Sequence, residues 1–195
     1  MTKYSGAWNL LLAQSPLVVF AATLAAESLA GTFSLGEFIA LNGLTSVSAL
    51  VTFTLSSLSY GVLEEIGWRG FLLPRLQRKF NALLATVILT VFWAAWHTPA
   101  FFYRPALSGF LSSPIMPLVF YLLVLTGSIM LTSIFNSSGG SLLMVIIWHI
   151  TYDLFSSNQT GMANTTLVVF FTVFDLFVII KYGVRSLSKS EKVTI

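Results

Sequence analysis

Chemistry in this chain has few places to reside. It holds two histidines, His97 and His149, seven acidic residues and no cysteine. Disulfides, thiolate zinc sites and cysteine nucleophiles are therefore excluded. The groups that could do chemistry gather in three short clusters. The first is Glu64-Glu65-Ile66-Gly67-Trp68-Arg69. On a helix, Glu65 and Arg69 stand four apart with the acid on the N-terminal side, the favoured order for an ion pair. Glu64 points about 100° away and lacks that partner. A carboxylate in an apolar cavity is a competent proton acceptor from water, so Glu64 is a candidate general base. The second cluster is Trp93-Ala94-Ala95-Trp96-His97, in which Trp93 and His97 share a helix face. The third is His149-Ile150-Thr151-Tyr152-Asp153, whose outer residues again face one way. Each cluster has a plainer reading. The first could be an ion pair that pins two helices, the second a histidine in a bundle or an aromatic belt, the third a local His–Asp hydrogen bond.

Spacing connects the clusters. A turn is expected near Phe80-Asn81, with Glu64 about 16 residues before it and His97 about 16 after it. In an antiparallel hairpin both then lie ~24 Å from the turn, at one depth. His149 sits near the middle of its own short apolar run and could reach the same level. Both histidines and the adjacent glutamates can thus meet in one intramembrane site.

The elements that must position these residues are helices in lipid. The chain has 195 residues, 56% hydrophobic and only 9% charged, against about 25% charged in ordinary soluble domains. Its mean hydropathy is +0.86. Such a chain cannot clothe a water-soluble globule, which argues against a soluble enzyme, a disordered protein or a nucleic-acid binder. Apolar runs that could span a bilayer lie at Trp8–Ala30, Glu37–Tyr60, Ala82–Tyr103, Pro114–Phe135, Ser141–Phe155 and Ala163–Lys181. Alternation with a period of two is absent, which disfavours a β-barrel. No internal repeat or long linker divides the chain. The expectation is an all-α polytopic transmembrane bundle of six or seven spans, forming a single domain over residues 1–195. The first apolar run is read as a retained helix, not a signal peptide.

Leu58–Phe80 fits least well, because it holds Glu64, Glu65, Arg69, Arg75, Arg78, Lys79 and Pro74. It either extends the second helix, giving six crossings, or crosses alone, giving seven. By the positive-inside rule both arrangements place the Arg75–Lys79 turn and the basic tail, residues 183–195, in the cytosol. With six crossings Lys3 joins them and Arg104 stands opposite; with seven, Lys3 joins Arg104. Thr98-Pro99 should end or kink the helix that carries His97.

In order along apolar helices, Glu64-Glu65-x-x-x-Arg69, Trp93-x-x-x-His97 and His149-x-x-x-Asp153 resemble the CAAX protease and bacteriocin-processing family of intramembrane proteases, related to the eukaryotic Rce1 prenyl-protein endopeptidase. The resemblance covers roughly residues 51–155. It implies peptide-bond hydrolysis by an activated water. Glu64 and His97 would hold and deprotonate that water, and His149 and Asp153 would face the developing oxyanion. Glu65 and Arg69 would orient the site. Two positions depart from the family's usual pattern. Trp93 stands where phenylalanine is common, and an aromatic is kept. Asp153 stands where asparagine often donates a hydrogen bond; an ionised aspartate cannot donate. It would have to be protonated, or hold the tautomer and orientation of His149.

Zinc is the alternative to metal-free chemistry, since two histidines and two carboxylates could bind it. His-Glu-x-x-His is absent and the histidines sit on different helices, so metal-independent water activation is favoured and no cofactor is expected. Other intramembrane proteases fit poorly. Tyr152-Asp153 is not matched by a Gly-x-Gly-Asp, Asp175 sits in Phe-Asp-Leu-Phe, and Ser137-Ser138-Gly139-Gly140-Ser141 lacks a Gly-x-Ser-Gly context. From another class, a non-enzymatic scaffold, an immunity factor or a small transporter remains open. The resemblance implies a peptide or protein substrate, prenylated or a leader peptide. The small, cysteine-free chain suggests the cytoplasmic membrane of a prokaryote. An oligomer is open, because so few helices enclose a cavity with difficulty.

Overall fold

The computed structural model describes residues 13–31, 33–36, 39, 45–103, 111, 114–156 and 161–195. Lys3 and Arg104 lie outside them. The described residues form helices and no strand. In chain order these are α1 (Ser15–Leu29), α2 (Val47–Gly67), a π-helical turn (Trp68–Leu72), α3 (Leu73–Lys79), α4 (Ala82–His97), a 3-10 turn (Thr98–Phe102), α5 (Met116–Ser137), α6 (Leu142–Ser156) and α7 (Gly161–Ser186). Among the described residues three segments are long and apolar enough to cross a membrane: Val47–Lys79, Ala82–Phe102 and Met116–Ser137. Ser15–Leu29 and Leu142–Leu154 are shorter apolar helices.

The charged stretch 58–80 extends the preceding helix. The helix begins at Val47, later than the expected Glu37, because extended Ser46 caps it, its hydroxyl accepting from Ala49 N at 3.1 Å. From there it runs 33 residues to Lys79. At 1.5 Å per residue that is roughly 50 Å, longer than a ~30 Å hydrocarbon core, so one end projects beyond the lipid tails. The π turn has a local cause. Pro74 has no N–H for the carbonyl four residues back, and its ring would crowd that carbonyl. Widening the helix by one residue just before it relieves the conflict, and Leu73 N–H bonds the Trp68 carbonyl five residues back. Asn81 then caps α4 through its side chain to Leu84 N at 2.9 Å. At the far end, α4 tightens into the 3-10 turn at Thr98-Pro99.

Burial is inverted relative to a soluble protein. Leu63, Ile180 and Phe102 are among many large apolar side chains that face outward. Arg69, Glu65, Gln77, Thr86, Ser128 and Asn136 are fully enclosed. That is the distribution expected when the solvent is hydrocarbon and polar groups must find partners inside. α2 packs chiefly on α6, α4 on α5, and α7 on α5 and α1. Met130, Leu131, Ile134, Val145 and Trp148 fill the centre. Thr86 donates to Thr132 at 2.8 Å across the α4–α5 contact. Two further cross-links, Arg69 to Ser128 and Gln77 to Asn136, share one sequence offset of 59, so the long helix and α5 run parallel.

The basic tail closes the same end as the Arg75–Lys79 turn. Gly183, at φ +75°, breaks α7 and turns the chain back. Gln77 and Asn136 exchange hydrogen bonds at 3.0 and 2.8 Å. Gln77 also donates to Val193 O, while Asn136 accepts from Val193 N and donates to Ser186 O. Lys192 donates to Phe80 O at 2.6 Å. These residues therefore pack on the bundle.

Candidate active site

The site is assembled where α2 and α6 come closest. A Cβ on Gly61 would lie 2.5 Å from Ile150 Cγ1 and 3.1 Å from Ile150 N, so only glycine permits this approach. One turn further along α2 is Glu65, and beside Ile150 on α6 is His149. Their side chains meet: His149 Nδ1 lies 2.7 Å from Glu65 Oε1. Arg69 Nη1 donates to the same oxygen, also at 2.7 Å, and Nη2 donates to Ser128 on α5 at 3.1 Å. Glu65 and Arg69 are wholly buried. Glu65 Oε2 and Arg69 Nε are buried with no partner among the described residues.

Trp93 joins α4 to this group. Its indole N–H donates to Glu64 Oε2 at 2.6 Å. The Arg69 guanidinium carbon lies 4.4 Å from the centre of the Trp93 ring. The His149 ring meets it edge-on at 5.5 Å, and His97 lies 6.0 Å away. Glu64 and His97 are half-buried, unlike Glu65 and Arg69. Phe120 on α5 flanks His97 at 5.6 Å and packs on Phe101 at 4.9 Å.

The acceptors assign the histidine protons. His97 Nδ1 is 2.8 Å from the Trp93 carbonyl, which only accepts, so Nδ1 carries hydrogen and a neutral ring presents a basic Nε2. His149 Nδ1 faces a carboxylate in the same way, so it donates to Glu65. His149 Nε2 stands 3.9 Å from Asp153 Oδ1, too long for a direct hydrogen bond.

Residues 46–155 match the type II CAAX prenyl endopeptidase, Rce1-like, family. The chain belongs to the Rce1-like family. It is also similar to CAAX prenyl protease 2 of Methanococcus maripaludis, at 28% identity over 134 residues. That alignment covers 68% of this chain and 48% of the archaeal protein, so the chain spans about half the length of this curated relative.

In this Rce1-like chain the structure brings together Glu64, Glu65, Arg69, Trp93, His97 and His149, with Asp153 at the edge. Glu64 does not share Arg69, as helix phase suggested, but it is bound across helices by Trp93. Arg69 donates to Glu65 and Ser128 and lies on the Trp93 ring. Ser128 was missed, since one hydroxyl in an apolar span carries no motif. The signal available was that a buried guanidinium needs more acceptors than one carboxylate oxygen. Asp175 is separate, buried on α7 with no partner for its carboxyl oxygens among the described residues. Among the described residues no three His, Asp or Glu side chains are arranged to hold a metal ion. Glu65 Oε1, the oxygen nearest His149, is already bound by Arg69.

Proposed function

We propose that the chain is an intramembrane endopeptidase that hydrolyses a peptide bond with a water activated by Glu64 and His97. The observation that carries this reading is the convergence of three helices on two unlike carboxylates. Glu65 is sealed in with Arg69 and serves structure. Glu64 is half-buried and held by Trp93, whose ring also neighbours His97, and serves chemistry. Water binds between Glu64 Oε1 and His97 Nε2. Glu64 takes its proton as the oxygen attacks the carbonyl carbon, and returns that proton to the leaving amine as the C–N bond breaks. The oxyanion develops beside His149, whose Nε2 donates to it when the ring is doubly protonated; Glu65 and Asp153 balance that charge. A preorganised donor of this kind is worth ~3–4 kcal/mol of barrier. Asp153 orients His149 and does not itself touch the oxyanion. No metal takes part.

The substrate is a peptide or protein segment that reaches the site from the membrane, such as a prenylated C-terminus or a leader peptide. The membrane is the cytoplasmic membrane of a prokaryote. The end formed by Arg75, Arg78 and the tail faces the cytosol, as positive-inside placement requires.

The test compares newly formed protein termini, read by mass spectrometry, in membranes from cells expressing wild type or Glu64→Gln at matched abundance. Termini that appear only with wild type are expected and would name the substrate and its cleavage site. Identical sets from two folded proteins would instead favour a non-enzymatic scaffold.

A further inference from the structure

Trp93 touches four of the charged or basic groups at the centre of the site. It lies against Arg69 and both histidine rings, and its indole N–H ends on Glu64 Oε2 at 2.6 Å. It is 6% exposed, so its ring has little room to turn. Glu64 lies on α2 and, among the described residues, has no ion pair like that of Glu65. A glutamate side chain has three rotatable bonds, and a half-buried one would otherwise sample several rotamers. From this geometry we infer that Trp93 is a positioning residue. Its indole N–H locks the Glu64 carboxylate by one oxygen and aims the other at the water held by His97. The inference rests on Glu64 being the base.

The indole offers one donor and no acceptor, so it can hold a carboxylate but cannot replace one. Its attachment to α4, four residues from His97, also ties the distance between Glu64 and His97 to one rigid helix. A phenyl ring at this position would keep the apolar packing and the face under Arg69, but would leave Glu64 unheld.

The test has two arms. In the first, indole N–H resonances of nitrogen-15-labelled protein in detergent are compared between wild type and Glu64→Leu, with the Trp93 signal assigned through Trp93→Phe. The Trp93 proton is expected far downfield in wild type and should move upfield in Glu64→Leu. An unmoved signal overturns the hydrogen bond. In the second, the rate of appearance of wild-type-dependent termini is measured for Trp93→Phe at matched abundance. The same is done for a variant with benzothienylalanine at position 93, which replaces the N–H by sulfur at nearly constant shape. Losing a hydrogen bond to a charged group predicts a fall of about ten- to one-hundredfold in both. Wild-type rates from either folded variant overturn the positioning role. If Glu64→Gln leaves the termini unchanged, the catalytic reading fails instead, and the resonance arm still reports whether Trp93 holds Glu64.

Discussion

Glu65 Oε1 receives His149 Nδ1 and Arg69 Nη1 at the same distance, 2.7 Å, although His149 lies 84 residues away in sequence. One buried oxygen thus fixes α6 to the long helix and dictates which edge of His149 is left for other work. The arrangement makes the two adjacent glutamates unequal, and most of the expectations below follow from that inequality.

Replacing Arg69 by Met should destabilise the fold by about 3–5 kcal/mol, because Glu65 would remain buried without its cation. Arg69→Lys should recover only part of this, since an ammonium cannot span Glu65 and Ser128 as the guanidinium fork does. Thermal unfolding in detergent reads both. A melting temperature unchanged in Arg69→Met would show that the pair contributes nothing to stability.

His149→Ala should lower turnover by about 10²–10³-fold through loss of the proposed oxyanion donor. The protein should still fold, because Arg69 stays on Glu65. The rate at which wild-type-dependent termini accumulate, measured beside the melting temperature, separates these effects. Activity within a few-fold of wild type would remove His149 from the chemistry.

Gly61→Leu should force α2 from α6, costing about 1–3 kcal/mol and most of the activity, since even a Cβ there meets Ile150 at 2.5 Å. Adding Ile150→Ala should restore stability in part. Activity should return less fully, because the backbone nitrogen of residue 150 still blocks the approach at 3.1 Å.

Chelators should leave the rate of terminus formation unchanged, since Glu65 is committed to Arg69 and the proposed water activation uses no metal. Loss of activity that zinc alone restores would count against the proposed mechanism.

Asn136→Ala should loosen the tail at a cost of about 2–3 kcal/mol, by unpairing Gln77 and the backbone of Ser186 and Val193. Trypsin cleavage after Lys189 and Lys192 in detergent-solubilised protein should quicken correspondingly. An unchanged cleavage rate would mean that these bonds do not hold the tail.

The three clusters were legible because an intramembrane charge is rare enough to be conspicuous, and because helical phase decides which pairs share a face. Equal spacing about Phe80-Asn81 anticipated that Glu64 and the helix of His97 would meet, and the chain does turn there, between Lys79 and Ala82. The link itself, Trp93 to Glu64, was not legible: an indole in a membrane helix reads as packing until its N–H is seen to point at a carboxylate. Gln77 and Asn136 were missed because polar residues near helix ends read as solvated. Only the tertiary path of the tail encloses them.

The π turn has a consequence for how the long helix tolerates changes of length. Glu65 and Gln77 are twelve residues apart, yet both are enclosed by the bundle. In an unbroken α-helix twelve steps of roughly 100° would leave them about 120° out of phase, whereas eleven would nearly align them. The wide turn absorbs the supernumerary residue. Excising one residue there, Phe71 for example, together with Pro74→Ala, should therefore give a regular helix that still directs Glu65 and Gln77 inward. The same excision between Val47 and Gly61 would rotate the preceding turns away from α6. The frame of this helix is thus forgiving at one turn and strict before it.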